Sequence, residues 1–282
     1  MQVFDDPDRM RTWSWQQRSS GRTVAVVPTM GALHSGHLAL VEHAFRAADR
    51  VIVTIFVNPL QFDRSADLAA YPRPIETDLN RCETAGVHAV YAPTAAAMYP
   101  PGFETHVEPG SLADRFEGAH RPGHFRGVAT VVTKLLAATA PDIAVFGEKD
   151  FQQLAVLRRL VTDLDLGVHL IGVPTVREPD GLAMSSRNAL LGPDDRAAAT
   201  VIRTALDAAA RSHADGEADV ATLIGVARSV VETEPRARIE YLDLVDRRTL
   251  EPLVTIDRPA VFLAAVWLGA VRLIDNQSLG PA

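Results

Sequence analysis

The sequence predicts an α/β chain: a doubly wound parallel sheet over residues 1–175, followed by a smaller α+β domain over residues 176–282. Three observations carry that reading. Short β-branched runs alternate with helical stripes along the first part, the rhythm of a parallel sheet wound on both sides. One run, residues 51–57 (VIVTIFV), has no solvent-facing gap, as expected of a strand covered on both faces. After Asn188 the composition shifts to alanine-rich helical patterns and then to alternating or apolar strand patterns.

Taken in order, residues 24–28 (VAVVP) read as a buried strand ending in a turn. Residues 37–49 place Leu38, Leu40, Val41, Ala44 and Phe45 on one helical stripe. The strand at 51–57 is followed by a polar helix at 75–85, a strand at 88–92, a long helix at 128–138 and a strand at 143–146. A further helix starts near Phe151, and 168–176 is one more strand. In the second domain, helices are expected at 193–214 and 218–232, with a break at 212–216, then strands at 239–245, 260–267 and 271–274. The loop 177–182 joins the domains.

Composition narrows the function. The chain of 282 residues carries a net charge of −7 and no basic block, a poor match for wrapping duplex DNA or long RNA. A local pocket for one small phosphate compound is still compatible with that charge. The single cysteine, Cys82, forms no internal disulfide. The N-terminus is acidic and broken by proline, unlike a secretory signal, and the apolar stretch 259–271 is shorter than the roughly 18 to 20 residues that cross a bilayer. A cytoplasmic protein that binds neither membrane nor nucleic acid is the expectation. Only Lys134 and Lys149 are lysines, against 26 arginines, so each marks a place where a compact ammonium could be preferred to a broad guanidinium.

Three segments carry chemistry. Residues 28–37 (PTMGALHSGH) lie where the first strand gives way to the first helix, the position at which ligands collect in doubly wound sheets. A helix start offers N–H groups and a positive dipole end to a phosphate. His34 and His37, three apart, can direct both rings at one group, and Gly31 and Gly36 let backbone come close to it. A histidine metal pair is the alternative, but no Cys or carboxylate cluster completes a ligand set. The second segment, 147–153 (GEKDFQQ), places Lys149 at a strand end opening into a helix, where an ammonium could neutralise charge building on a phosphate. Asp150 could cap that helix or bind ribose hydroxyls, and Lys134, inside a helical pattern, reads as a solvated or snorkelling side chain. The third, 184–188 (MSSRN), supplies two hydroxyls and a guanidinium suited to a triphosphate tail, although it is also a good helix-capping string.

Together with FVNPLQF (56–62), YPR (71–73) and RPGHF (121–125), these segments resemble, in order, the pantoate–β-alanine ligases, from about residue 23 to 190 and loosely on to Asp275 and Asn276. HSGH resembles the nucleotidyl-transfer His-x-Gly-His signature of class I aminoacyl-tRNA synthetases. MSSRN is similar to their Lys-Met-Ser-Lys-Ser loop, with Ala183 where that loop has its first lysine. The resemblance implies a Rossmann-like N-terminal domain of the His-x-Gly-His type and a C-terminal lid carrying MSSRN. It implies ATP-dependent condensation of (R)-pantoate with β-alanine through pantoyl adenylate, giving pantothenate, AMP and diphosphate.

Carried over by matching position, the ATP contacts would be Thr29, Met30, Gly31, Ala32, Leu33, His34, Ser35, Gly36 and His37, then Gly147, Glu148, Lys149 and Asp150, then Val176, and Met184, Ser185, Ser186 and Arg187. His37, His34 and Lys149 would be catalytic, with His37 the proton donor. Gln61 and Gln153 would hold pantoate, with Gln61 also near β-alanine. Mg²⁺ would ride on the ATP phosphates with no metal ligands assigned to the chain, and a homodimer through the N-terminal domain is implied. Ser35 should point away from the phosphate, and Cys82 should be structural, since acyl-adenylate chemistry needs no nucleophilic side chain. The alternatives are a plain nucleotidylyltransferase, which would not depend on β-alanine, and an adenine-nucleotide sensor, which would bind ATP without releasing pyrophosphate. A tRNA synthetase is disfavoured by the acidic charge and the short chain.

Overall fold

The computed structural model describes residues 1–280. The chain divides into two compact units, residues 1–148 with 152–174, and residues 149–151 with 175–282.

The first unit is built on six strands, β1 (Gln2–Phe4), β2 (Val24–Thr29), β3 (Arg50–Ile55), β4 (Ala89–Tyr91), β5 (Ile143–Gly147) and β6 (His169–Val173). They pair in the order β1-β4-β3-β2-β5-β6, every ladder parallel. The helices are α1 (Pro7–Ser19), α2 (Ser35–Ala47), α3 (Ser65–Ala70), α4 (Ile75–Thr84), α5 (Ala95–Met98), α6 (Glu117–His120), α7 (His124–Thr139) and α8 (Phe151–Asp163). Successive strand residues face opposite sides. Val24, Val26, Ile52, Tyr91 and Phe146 therefore join one core with α1, α7 and α8. Ala25, Val27, Val51, Val53 and Val145 join a second core with α2 and α4. The uninterrupted β-branched runs follow from that burial on both faces.

The sheet also parts at the ends of two neighbouring strands. Strand order reverses between β2 and β5, the switch point of a doubly wound sheet. The β2–β5 ladder reaches only Val26 opposite Ala144, whereas β2 stays paired with β3 up to Thr29 and β5 with β6 up to Gly147. Pro28 has no N–H to give to a ladder, so β2 loses a bonding group where the two strands part. The segment after β2 and the end of β5 thus leave the sheet on the same edge.

The second unit contains α9 (Pro193–Ala198), α10 (Val201–Ala214) and α11 (Val220–Val231) and the antiparallel strands β7 (Ala237–Asp246), β8 (Ala260–Leu268) and β9 (Val271–Leu279), ordered β7-β8-β9. Ile202, Leu206, Leu223, Leu244, Phe262 and Val266 form its core.

Several expectations are corrected. The N-terminal segment, for which the sequence reading assigns no element, pairs Gln2–Phe4 with β4, and Asp6 caps α1 by accepting from the N–H of Arg9 at 2.8 Å. The expected helix at 193–214 is two helices, and α7 begins at His124 rather than 128. The last strand runs on to Leu279. Lys134 is half-buried, its Nζ 5.2 Å from the centre of the Phe103 ring.

Candidate active site

The segment after β2 is held at almost every N–H by the protein itself. Thr29 Oγ1 accepts from the N–H of Gly31 at 3.1 Å and donates to the carbonyl of Thr54 at 2.6 Å. Asp78 on α4, 1% exposed, accepts from Ala32 N–H at 2.7 Å and Leu33 N–H at 2.8 Å, one bond per carboxylate oxygen. Gly31 and Ala32 both have positive φ, 80° and 48°. A Cβ on Gly31 would stand 2.9 Å from Asp78 Oδ2, so the close approach that glycine permits is made by this carboxylate. Leu33 is buried in the α2 and α4 core.

His34 then caps α2. Its Nδ1 accepts from the N–H of Gly36 at 3.1 Å, and its own N–H donates to Nδ1 of His37 at 3.2 Å, a capping box built from two imidazoles. A ring nitrogen that accepts keeps its lone pair, so in both neutral rings the proton sits on Nε2. The ring centres are 4.1 Å apart with planes inclined by 38°. The sequence reading offers helix-start N–H groups to a phosphate. Those of Gly31, Ala32, Leu33, His34 and Gly36 are instead given to side chains of the protein. Ser35 is exposed at the first position of α2.

Gln61 ends a single 3-10 turn, Pro59–Gln61, packed against α7. Its Nε2 donates to the sulfur of Met30 at 2.9 Å. The amide is fixed that way round by Asn58, 1% exposed, whose Nδ2 donates to Gln61 Oε1 at 3.1 Å and to the carbonyl of Gly127 at 3.0 Å. Asn58 Oδ1 accepts from Leu60 N–H at 3.2 Å and from the Tyr99 hydroxyl at 2.7 Å, so all four of its hydrogen-bonding places are filled. Burial pushes the Tyr99 hydroxyl well above its usual range, keeping it a donor. The carbonyl of Gln61 accepts from His124 Nδ1 at 2.8 Å and Arg121 Nη2 at 3.1 Å.

Of the paired glutamines on α8, Gln152 is held by three hydrogen bonds. It donates to the carbonyls of Leu112 and Arg115 and accepts from the N–H of Glu117. Gln153 beside it is half-buried. Gly147 ends β5, and the N–H of Glu148 donates to the carbonyl of Val173 at 2.8 Å.

In the second unit, Lys149 and Ser185 line one small crevice together with Ala183 and Asp275. The carbonyl of Lys149 accepts from Asn276 Nδ2 at 2.9 Å. The neighbouring Asp275 takes both Nη atoms of Arg177, at 2.6 and 2.9 Å. Residues 176–184 fold back on themselves, Met184 N–H donating to the carbonyl of Val176 at 2.9 Å. Ser185 then caps the turn Ser186–Leu190 by accepting from Arg187 N–H at 3.2 Å. Asp150 is exposed ahead of α8. The structure thus brings two of the three sequence segments, those of Lys149 and Ser185, to one crevice, and ties Gln61 to Met30 of the remaining one. Cys82 is buried, its thiol pushed up to about 11 by burial and by the charge of Asp78, the state of a structural cysteine. Asp78, Asn58, Tyr99 and Asn276 act here without belonging to a periodic or clustered signal. Asn58 and Asn276 lie within strings that carry the resemblance.

Residues 2–278 match the model of the family described as Pantoate-beta-alanine ligase. The chain belongs to the pantoate–β-alanine ligase family. A pantothenate synthetase of Thioalkalivibrio sulfidiphilus is 56% identical over 261 residues, 92% of this chain and 91% of that protein. One from Rhizorhabdus wittichii is 50% identical over the whole of both chains. Among solved structures, a pantothenate synthetase from Thermus thermophilus superposes with a TM-score of 0.95 at 44% identity, with both chains fully covered. A pantoate–β-alanine ligase from Francisella tularensis, complexed with Beta-gamma ATP and Beta-alanine, gives 0.81 at 33% identity over both chains in full. The parallel α/β unit with a smaller antiparallel unit is thus the architecture of a pantoate–β-alanine ligase, and the chain is an amide-bond-forming ligase.

Proposed function

We propose that the chain condenses (R)-pantoate with β-alanine at the expense of ATP, and that the residues named from the resemblance perform the two steps. The observation that carries the proposal is the tilted pair His34 and His37, each Nδ1 accepting from a backbone N–H beside the switch point of the sheet, with the Gln61 amide reaching Met30 in the same segment.

In the first step a pantoate carboxylate oxygen bonds to the α-phosphorus of ATP and the bond to the bridging oxygen of pyrophosphate breaks. Negative charge grows on the leaving group. His37 and His34, each held through Nδ1, give Nε2–H bonds to it at little cost in reorganisation, and Lys149 supplies a positive charge. Ser185, Ser186 and Arg187 bind the phosphate tail, with Met184, Val176, Gly147, Glu148 and Asp150 around the nucleotide. Gln61 and Gln153 bind pantoate through amides, which pair with hydroxyl and carboxylate without adding a second negative charge. In the second step the amine of β-alanine, near Gln61, adds to the activated carbonyl. AMP leaves with the electron pair of the acyl–oxygen bond, and the amine gives up its proton to solvent.

Mg²⁺ belongs to this reading as the companion of the ATP phosphates, where it neutralises charge on them. Among the described residues no group of three His, Cys, Asp or Glu is arranged to hold a metal ion, so no step is assigned to a protein-bound one. The same reading makes the enzyme a cytoplasmic homodimer associating through its N-terminal unit. No helix among the described residues is long and apolar enough to cross a membrane.

Pyrophosphate release with each substrate omitted in turn tests the function. The expected result is release of about one equivalent per site with ATP and pantoate, becoming sustained on adding β-alanine. Release that ignores β-alanine favours a nucleotidylyltransferase, and ATP binding without release favours a sensor. Either overturns the proposal.

A further inference from the structure

We infer that Asp78 is a positioning residue for adenylate formation, setting the His34–His37 pair through the backbone of Ala32 and Leu33. The inference rests on the ligase reading above. Asp78 stands on the first turn of α4, 45 positions from Leu33 in sequence, and is almost wholly removed from solvent. A buried carboxylate is costly unless its charge is met. Here each oxygen takes one of two consecutive N–H groups of a segment that turns through two positive-φ residues.

Gly31 adopts that conformation readily, but Ala32 does so against the clash of its own Cβ. The carboxylate holds Ala32 there, because in that turn both N–H groups meet a single anion. Its reach continues to the histidines. Leu33 leads directly into His34, whose N–H fixes the His37 ring, and His34 Nδ1 in turn receives Gly36. A shift of the turn therefore moves both imidazoles, while Gln61, held by Asn58 and α7, keeps its place. The glycine at 31 fits the same account, since a side chain there would collide with Asp78 Oδ2.

Asp78→Asn keeps the shape and supplies one acceptor, but turns an NH₂ towards the other backbone N–H. In the full-length enzyme supplied with ATP, pantoate and β-alanine, kcat for pyrophosphate release should fall at least about tenfold, towards the roughly hundredfold loss caused by a misplacement of about 1 Å. KM for pantoate should stay within about threefold, because its amide ligands are untouched. Adding Ala32→Gly, which removes the conformational cost that Asp78 offsets, should restore about threefold or more of the lost kcat. Amide hydrogen exchange reads the clamp apart from activity: Ala32 and Leu33 lose protection in Asp78→Asn while the strands keep theirs. A kcat within about twofold of wild type, a change confined to KM, or unchanged exchange at Ala32 and Leu33 overturns the inference. So does failure of both the single and the double variant to fold, because Asp78 would then serve the fold as a whole. If the wild-type enzyme releases no pyrophosphate with pantoate, the ligase reading fails instead, and the exchange experiment still decides whether the clamp exists.

Discussion

The side-chain amide of Gln61 donates to the sulfur of Met30 across 2.9 Å, joining two segments that lie 31 positions apart in the chain. A thioether is a weak acceptor, so an N–H held against it is readily redirected to a stronger one such as a carboxylate. The direction of the amide is set from behind, by Asn58 and, through Asn58, by Tyr99.

Gln61→Glu should therefore act on binding more than on turnover. It replaces a donor by a negative charge facing an anionic substrate, while its other oxygen still accepts from Asn58, so the side chain stays in place. KM for pantoate should rise roughly tenfold or more, the scale of a hydrogen bond to a charged group. Tyr99→Phe removes one of the four bonds that orient Asn58 and should raise KM by only about threefold to tenfold. Initial rates over a range of pantoate at saturating ATP measure both. A larger effect from Tyr99→Phe than from Gln61→Glu would contradict this order.

Lys149→Ala and His37→Ala should each lower adenylate formation by about 10²-fold or more while the protein stays folded, the loss expected for a donor to transition-state charge. Lys149→Arg should not restore the wild-type rate, because a planar guanidinium does not reproduce a compact ammonium. Single-turnover formation of pantoyl adenylate, with circular dichroism as the control for folding, separates a lost donor from a lost structure. Near-normal turnover in either alanine variant would remove the roles assigned to these side chains.

Much of this is legible along the chain, for a physical reason. Strands buried on both faces must be apolar throughout, so β2 and β3 announce themselves in VAVVP and VIVTIFV. Lys149 and His37 lie in compact strings whose spacing survives in one dimension. The edge strand Gln2–Phe4 has only three residues, with Phe4 alone buried among them, and carries no period. The start of α1 is nevertheless written in Asp6 and Pro7, an N-cap followed by a proline at the first turn. Asp78 is different in kind. A single acidic residue on a polar helix looks like solvated surface until the fold brings Ala32 and Leu33 against it, and no local pattern encodes a partner 45 positions away.

Gly127 makes a further demand that its helix does not reveal. On α7 a Cβ would stand 2.2 Å from the carbonyl oxygen of Leu60 and 2.7 Å from the nitrogen of Gln61. Gly127→Ala gains about 1 kcal/mol in helix propensity. It loses about 1–3 kcal/mol to overpacking against backbone that cannot rotate away. The loss should prevail, lowering Tm, and the displaced 59–61 turn should raise KM for pantoate as well. Thermal denaturation together with pantoate titration of the initial rate checks both, and an unchanged KM would mean that the turn adjusts without moving Gln61.

His88 gives the fold a pH dependence of definite sign. Its Nδ1 accepts from the N–H of Val51 at 3.0 Å, and Arg50 Nη1 lies 3.3 Å from Nε2. Burial first, and then the charges of Arg50, Arg22 and the N-terminal amine, hold its pKa below the ordinary 6.5. Well above pH 6.5 the ring is neutral in folded and unfolded chains alike, and its contribution to stability is complete. As pH falls below 6.5 the unfolded chain takes up a proton that the folded one resists, so stability is lost progressively down to the lowered folded value. His88→Asn retains an acceptor close to the position of Nδ1 and does not titrate. Urea midpoints at about pH 8, 6.5 and 5.5 should therefore fall less steeply for His88→Asn than for the wild type, with the two slopes diverging only below about pH 6.5. Equal slopes in that window would show that the ring takes its proton as easily in the folded sheet as in the open chain.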